Sequence, residues 1–351
     1  MDYHIILHRS FDLDANERLA ELGQCPRHIM AALTQKLGAK VHAPGDDVIL
    51  PIDRIRSKLL GSPATWAMAR RLSAQLTNND IVYCTSETTG IPLAAMCNHS
   101  EKSPTIVIYA HDVYRSLTQV ALRLFPVAHK SVFFITNTTA QVEFLKQRFG
   151  LADDRVLLLL EQTDTQFFTP GLPSPDKQRP VIASVGLERR DYRLLAAATS
   201  DMNVDVIITG FSADVKRSMS TFPASLPANM TTHTLEWIDL LKLYRNADIV
   251  VLALTKSLVT SGVTTLLEAM ACARPVIVTR TNGLVDYLKP SETVITVEPG
   301  DLGGLRKTIQ YALENTEVAA ATAQEGYRFV QAFHNSDKYV EMLAQLLLNL
   351  S

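Results

Sequence analysis

Between Asp248 and Thr279 the chain reads as strand, short loop, helix, strand, and no other stretch narrows the fold so far. Asp248-Ile-Val-Val-Leu-Ala-Leu254 is an apolar run of strand length, rich in β-branched residues. Ser261 to Cys272 reads as a helix, and Pro275-Val-Ile-Val-Thr279 as a second buried strand. Two strands joined through a helix lie parallel, which makes a βαβ unit. The loop from Thr255 to Gly262 then leaves the carboxyl end of the first strand, where open α/β sheets bind ligands. Ser261 is the expected N-cap. Beyond it the N–H groups of Gly262, Val263, Thr264 and Thr265 point at the crevice, an arrangement suited to phosphate. Glu268 follows about 9 Å further along the helix axis. A carboxylate there accepts hydrogen bonds from sugar hydroxyls without facing the phosphate.

The same alternation runs through the chain. Strands are expected at Tyr3–Leu7, Ala39–Ala43, Asp80–Cys84, Thr105–Tyr109, Ser131–Thr136 and Arg155–Leu160, then at Val181–Val185, Asp205–Thr209, Thr231–Leu235 and Thr293–Val297. Helical stretches fall between them, so the class is α/β. A length of 351 residues suits two domains, each with its own core. Pro170, Pro173, Pro175 and Pro180 mark the linker. The expected division is 1–170, 171–330, and a terminal helical segment 331–351, with Val318 to Ser351 read as helical with an apolar end.

Lys and Arg number 34 and Asp and Glu 36, a net charge of −2, so nothing in bulk draws the chain to nucleic acid. No apolar run reaches membrane-span length. The amino terminus enters a strand directly, without a basic region or cleavage site, and a cytoplasmic location is expected. Cys25, Cys84, Cys97 and Cys272 lack metal-ligand spacing and read as core residues. Three basic stretches stand out: Leu50–Leu60, Trp66–Leu76 and Tyr114–Lys130. Each reads as a solvated helix face or as a peripheral contact with the inner face of a membrane.

Leu267-Glu-Ala-Met-Ala-Cys-Ala-Arg-Pro-Val-Ile277 resembles the donor-binding element of retaining GT-B glycosyltransferases of the family-four type, glycosyltransferase group 1. That pattern runs Glu, seven residues, Glu, Ala-Met-Ala-Cys-Gly-x-Pro-Val-Ile. Glu268 stands at its second Glu, which the resemblance assigns to the nucleotide ribose. Thr260 stands where the family has the first Glu, at the hydroxyls of the transferred sugar. Glu161-Gln-Thr-Asp-Thr-Gln-Phe-Phe-Thr-Pro170 resembles the family's domain-junction segment in Asp164, Phe168 and Pro170. Tyr244 to Asp248 carries its Tyr-x-x-Ala-Asp, and Arg280-Thr-Asn-Gly283 replaces its Gly-Gly turn. Tyr244 and Trp237 are read as packing residues. Gly210-Phe211-Ser212 falls where the family frames the nucleobase.

The resemblance implies a GT-B fold of two Rossmann-like domains with a cleft between them. The first would bind the acceptor and the second the nucleotide sugar, and the last helix would return to the first domain. It implies retaining transfer of a hexose from a UDP- or GDP-linked donor to a hydroxyl on a glycan, lipid or small molecule, with no metal and no further cofactor. Arg189 and Arg190, after the strand-end Gly186, are the counterparts of basic residues that clamp the pyrophosphate; a fixed guanidinium stabilises the departing charge. His111, directly after Thr105–Tyr109, is the counterpart of a histidine beside the transferred sugar. It reads otherwise as a ring satisfied by a backbone carbonyl. Glu87 and Asp112 lie at strand ends on the acceptor side. Donor contacts are expected from Gly186, Thr260, Ser261, Gly262, Val263, Thr264 and Glu268. No paired acidic motif supplies a nucleophile. With Thr260 in place of Glu, a second reading stays open: a GT-B scaffold that binds a nucleotide, glycan or protein without turnover. An epimerase of the same architecture is disfavoured by the Glu-Ala-Met-Ala helix, and a dehydrogenase by the lack of Gly-x-Gly-x-x-Gly after the first strand.

Overall fold

A computed structural model describes residues 2–97, 103–125, 131–210, 221–288 and 291–350. The chain divides into two units, each built on a six-stranded parallel sheet. The first unit comprises residues 1–18, 28–160 and 339–351. Its strands are β1 (Tyr3–Ile6), β2 (Lys40–His42), β3 (Ile81–Cys84), β4 (Thr105–Tyr109), β5 (Val132–Thr136) and β6 (Val156–Leu158), in the order β2-β1-β3-β4-β5-β6. Successive side chains alternate between two apolar layers, as a pleated strand buried on both faces requires. Ile6, Val82, Ile106, Ile108 and Phe134 pack on one face. Ile5, Tyr83, Val107 and Ile135 pack on the other, against Leu33 and against Leu343 and Leu347 of the last helix, Ser336–Leu348.

The second unit comprises residues 19–27 and 161–338. Its strands are β7 (Val181–Val185), β8 (Asp205–Thr209), β9 (Met230–His233), β10 (Ile249–Leu252), β11 (Val276–Thr279) and β12 (Ile295–Val297). The order β9-β8-β7-β10-β11-β12 is that of a Rossmann sheet. Each sheet reverses direction once, at β1/β3 in the first unit and at β7/β10 in the second. These are the points outside which ligands bind in open α/β sheets.

The structural division differs from the one expected at 170/171. The stretch after Leu160 is tied to the end of the second unit, where Thr163 donates to the His334 carbonyl at 2.8 Å and Ser336 donates back to the Thr163 carbonyl at 3.1 Å. The proline-rich stretch is not a free linker. Arg245 binds the Thr169 carbonyl, Arg274 the Gly171 carbonyl, and Asn246 the amide of Ser174. The terminal helical stretch consists of two helices, Thr316–Phe333 and Ser336–Leu348, interrupted at His334 and Asn335. There the His334 ring turns inward and donates through Nδ1 to the Glu161 carbonyl at 2.7 Å. No helix among the described residues is long and apolar enough to cross a membrane.

Four histidines give the fold an acid limit. Burial holds His4, His28 and His334 below the usual imidazole range. Burial and the neighbouring His4 hold His42 down at about 4. The structural reasons are visible. His4 Nδ1 and His42 Nε2 share a hydrogen bond of 2.9 Å. His28 Nδ1 caps its helix by accepting from the Met30 amide. His334 Nε2 is enclosed without a partner among the described residues. A depressed pKa means the unfolded chain takes up the proton first, so stability is lost as pH falls below about 6.5. The loss is expected to reach about 1.4 kcal/mol per pH unit for each histidine between its unfolded and folded pKa. Denaturant midpoints measured from pH 7.5 to pH 4.5 check this, and a midpoint that stays level over that range contradicts it.

Candidate active site

In the second unit the predicted residues gather at the β7/β10 reversal. The backbone leaves β7 through Gly186, at φ 94°, and folds over the end of β10. Asp191 donates to the Ala253 carbonyl at 2.7 Å and Thr255 to the Arg189 carbonyl at 2.9 Å. Arg190 is 3% exposed. Its guanidinium donates from Nε to the Val185 carbonyl at 2.8 Å, from Nη1 to the Glu188 carbonyl at 2.8 Å, and from Nη2 to Thr265 Oγ1 at 3.1 Å. Burial lowers its pKa. A Cβ at position 186 would lie 2.4 Å from Nη2, so the strand-end glycine is what admits the guanidinium. A Cβ at Gly262 would lie 3.4 Å from Nη1. Arg190 therefore lies beside the start of the helix Val263–Ala271, on the far side of the βαβ loop in sequence. Arg189 is exposed, with a left-handed backbone at φ 54°. The structure separates the two arginines that the sequence left equivalent.

The helix start differs from expectation in one respect. Gly262, at φ 93°, is the N-cap and gives no side-chain bond; Ser261 is not the cap. The cause is a turn in which Val263 donates to the Thr260 carbonyl at 3.1 Å, which drives the next position into the left-handed region that glycine tolerates. Ser261 is buried, and its Oγ is enclosed with no partner among the described residues. Among the described residues the N–H groups of Thr264 and Thr265 meet no acceptor. Thr264 is exposed, Thr260 half-buried and Val263 buried.

Glu268 is 5% exposed and accepts from the Tyr244 hydroxyl through Oε2 at 2.7 Å. Burial raises its carboxyl to about 7, against the downward pull of that hydroxyl and of Arg190. Tyr244 is thus more than the packing residue it was read as. A fully buried phenol needs a partner, and Glu268 is that partner. The Thr265 hydroxyl, which receives Arg190 and donates to the Val185 carbonyl at 3.2 Å, was not singled out from the sequence, which offered only that residue's N–H. Its signal was its place one turn before Glu268. Below the loop, Gly283 comes so close that a Cβ there would lie 1.9 Å from the Val259 carbonyl oxygen.

In the first unit His111, Glu87 and Asp112 lie at the carboxyl ends of β3 and β4. The Glu87 carboxylate is buried and accepts the His111 amide N–H at 3.0 Å. It holds the histidine's loop. The His111 ring is exposed and donates from Nε2 to the Thr85 carbonyl at 3.0 Å. A carbonyl only accepts, so in the neutral ring the proton sits on Nε2 and Nδ1 is an acceptor. The structure bears out one reading of this histidine, a ring satisfied by a backbone carbonyl, and Nδ1 has no hydrogen-bond partner among the described residues. Asp112 Oδ1 accepts from the Tyr114 amide at 3.1 Å, a local turn.

Arg70 and Arg71 of the basic stretches are spent on Asp53 and Asp47, so that segment offers no basic face. His129 and Lys130 lie outside the described residues, as do Phe211 and Ser212. Among the described residues Asp2, His4 and Asp80 come close enough to share a cation, at the amino ends of the strands, away from His111.

Residues 190–315 match the family described as glycosyl transferases group 1. A probable transglycosylase of Burkholderia thailandensis is 24% identical over 61% of this chain. The chain spans 59% of the length of that curated relative. Among solved structures, sucrose-phosphate synthase from Thermosynechococcus elongatus superposes with a TM-score of 0.74 at 18% identity, covering 100% of this chain and 99% of the other. Anabaena HepE in complex with UDP and glucose does so with a TM-score of 0.71 at 14% identity, over 98% of each chain. The fold is GT-B.

Proposed function

We propose that this chain is a retaining, metal-independent glycosyltransferase that moves a hexose from a UDP- or GDP-linked donor to a hydroxyl acceptor. The observation that carries the reading is the grouping at the β7/β10 reversal. A buried guanidinium, two N–H groups without an acceptor, and the enclosed Ser261 Oγ face the start of one helix, with a buried carboxylate a turn beyond. Arg190 and the helix terminus stabilise the charge that develops on the leaving diphosphate. Glu268 accepts from the ribose hydroxyls. The acceptor hydroxyl attacks from the face the diphosphate leaves, and a departing phosphate oxygen takes its proton. Thr260 offers the transferred sugar a hydroxyl where the family pattern has a carboxylate. The complex of HepE with UDP and glucose supports a uridine donor.

Thermal shift with UDP, GDP, ADP and TDP and their sugar conjugates tests the reading. A ligand present at a hundred times its Kd stabilises the native state by about 2.7 kcal/mol. One base is expected to dominate. Glu268→Gln keeps an acceptor for Tyr244 and is expected to weaken that nucleotide by about tenfold, the worth of a charge-assisted hydrogen bond. Unchanged affinity removes Glu268 from the ribose. No shift with any nucleotide assigns the chain to the binding scaffold that Thr260 allows.

A further inference from the structure

The first unit has a cavity of about 330 Å³ at its own sheet reversal, outside the carboxyl ends of β1, β3 and β4. His8, Thr88 and Arg115 reach it from those strand ends, and Lys58 from the loop that precedes the helix Pro63–Ser73. It adjoins the His111 loop, because the His8 amide donates to Thr85 Oγ1 while the Thr85 carbonyl receives the His111 ring. Its charge is one-sided. None of the described residues that line it is acidic. The side chains of Lys58 and Arg115 have no ion-pair or hydrogen-bond partner among the described residues. Arg115 is also the N-cap of the nine-residue helix Ser116–Leu124 and gives it no side-chain bond, and Leu117 and Thr118 of that helix's first turn line the same cavity. Two cations, a bare helix terminus and several hydroxyls make a place for a compact, multiply charged anion.

The larger cavity of the second unit, about 550 Å³, shows the contrast. It also holds cations, yet Lys242 is paired with Asp239 at 2.8 Å and Arg245 is spent on the Thr169 carbonyl. Those cations are already satisfied by the protein, whereas Lys58 and Arg115 are exposed and meet no acid or acceptor among the described residues.

We infer that this cavity is the acceptor subsite and that the acceptor carries a phosphate ester held between Lys58 and Arg115. The word acceptor rests on the glycosyltransferase reading; the phosphate site rests on the cavity alone. Leu59 and Leu117 form an apolar wall, which suits the carbon skeleton of a sugar phosphate or the start of a lipid tail. Both sources share the phosphate.

Isothermal titration of the full chain, first saturated with UDP to fill the nucleotide site, tests this with glycerol 3-phosphate as the probe and glycerol as the uncharged control. Glycerol phosphate is expected to bind, more weakly as salt is raised, and glycerol is not. The double variant Lys58→Ala, Arg115→Ala is expected to lose at least about tenfold in affinity for the probe while keeping the melting temperature and UDP affinity of the parent. Equal binding of the probe by the double variant overturns the site, as does no binding of it by the parent at millimolar concentration. Vesicles of phosphatidic acid in phosphatidylcholine form the second arm. Retention that depends on the two cations names a lipid phosphate, and retention of the soluble probe alone names a water-soluble ester. A chain that ignores UDP but binds the probe through Lys58 and Arg115 keeps the anion site and loses the glycosyltransferase reading.

Discussion

Arg190→Lys is expected to lower turnover by about 10²- to 10³-fold, the cost of losing one fixed donor to a developing anion. Three of the guanidinium's donors are anchored to Val185, Glu188 and Thr265, and that anchoring holds the remaining edge beside Gly262. A lysine ammonium has no planar fork and cannot hold those acceptors while pointing at a ligand. The anchored edge needs no reorganisation when charge appears, so the loss falls on kcat more than on KM. Arg189→Ala should change kcat by only a few-fold, because Arg189 is exposed and its tie to Thr255 runs through the backbone carbonyl. Steady-state kinetics with the donor found by thermal shift decide the matter. A greater loss in Arg189→Ala than in Arg190→Lys would reverse the assignment.

The largest effect on stability is expected at Arg27. The Asp164 carboxylate is 4% exposed. It accepts the Arg27 amide at 2.8 Å, Arg27 Nη2 at 2.7 Å and Nε at 3.1 Å, and the Gln166 amide at 3.1 Å. The same guanidinium reaches Asp337 at 2.8 Å. Arg27→Met leaves a buried carboxylate with backbone donors alone. Breaking a buried pair from one side costs about 3–5 kcal/mol, and the third of Arg27 that is exposed places this case near the lower figure. For a unit of this size that corresponds to a fall in Tm of roughly 10 °C. Differential scanning calorimetry reads it directly. A fall of a degree or two would mean that water reaches Asp164 and replaces the arginine.

Much of the fold could be read from the residues. Thr105–Tyr109, Val181–Val185 and Asp205–Thr209 are strands with the expected bounds, because each is a short apolar run closed by a polar or glycine position. The order of strands could not be read, since it depends on which crossovers pack. Composition misplaced the division of the chain: prolines mark a segment unable to join a sheet, but Arg245, Arg274 and Asn246 still pin that segment to the second unit. In the candidate site, Glu268 and Gly262 were singled out by their place in the family-like helix and Gly186 by its place at a strand end, and the structure groups them around Arg190 and the helix Val263–Ala271. The choice between Arg189 and Arg190 was not, because adjacent residues differ only in which side of the turn they face. Ser261 was misread as a cap because cap preference is a local average, and here the Thr260 turn decides. Tyr244 was undervalued because its partner lies 24 residues further along the chain.

The close approach of Gly283 bears on how this protein can diversify. With the Val259 carbonyl resting where a side chain would begin, and the Gly283 amide donating to the Ser257 carbonyl at 3.2 Å, the segment from Thr255 to Gly262 is fixed from beneath. Its backbone path is not free to drift. Lys256 and Leu258 point into solvent and Thr260 is only half enclosed, so variation there leaves the path alone. A lineage with this floor would alter what the loop presents by exchanging side chains on a constant backbone. An insertion there would have to displace Gly283 and break its bond to Ser257.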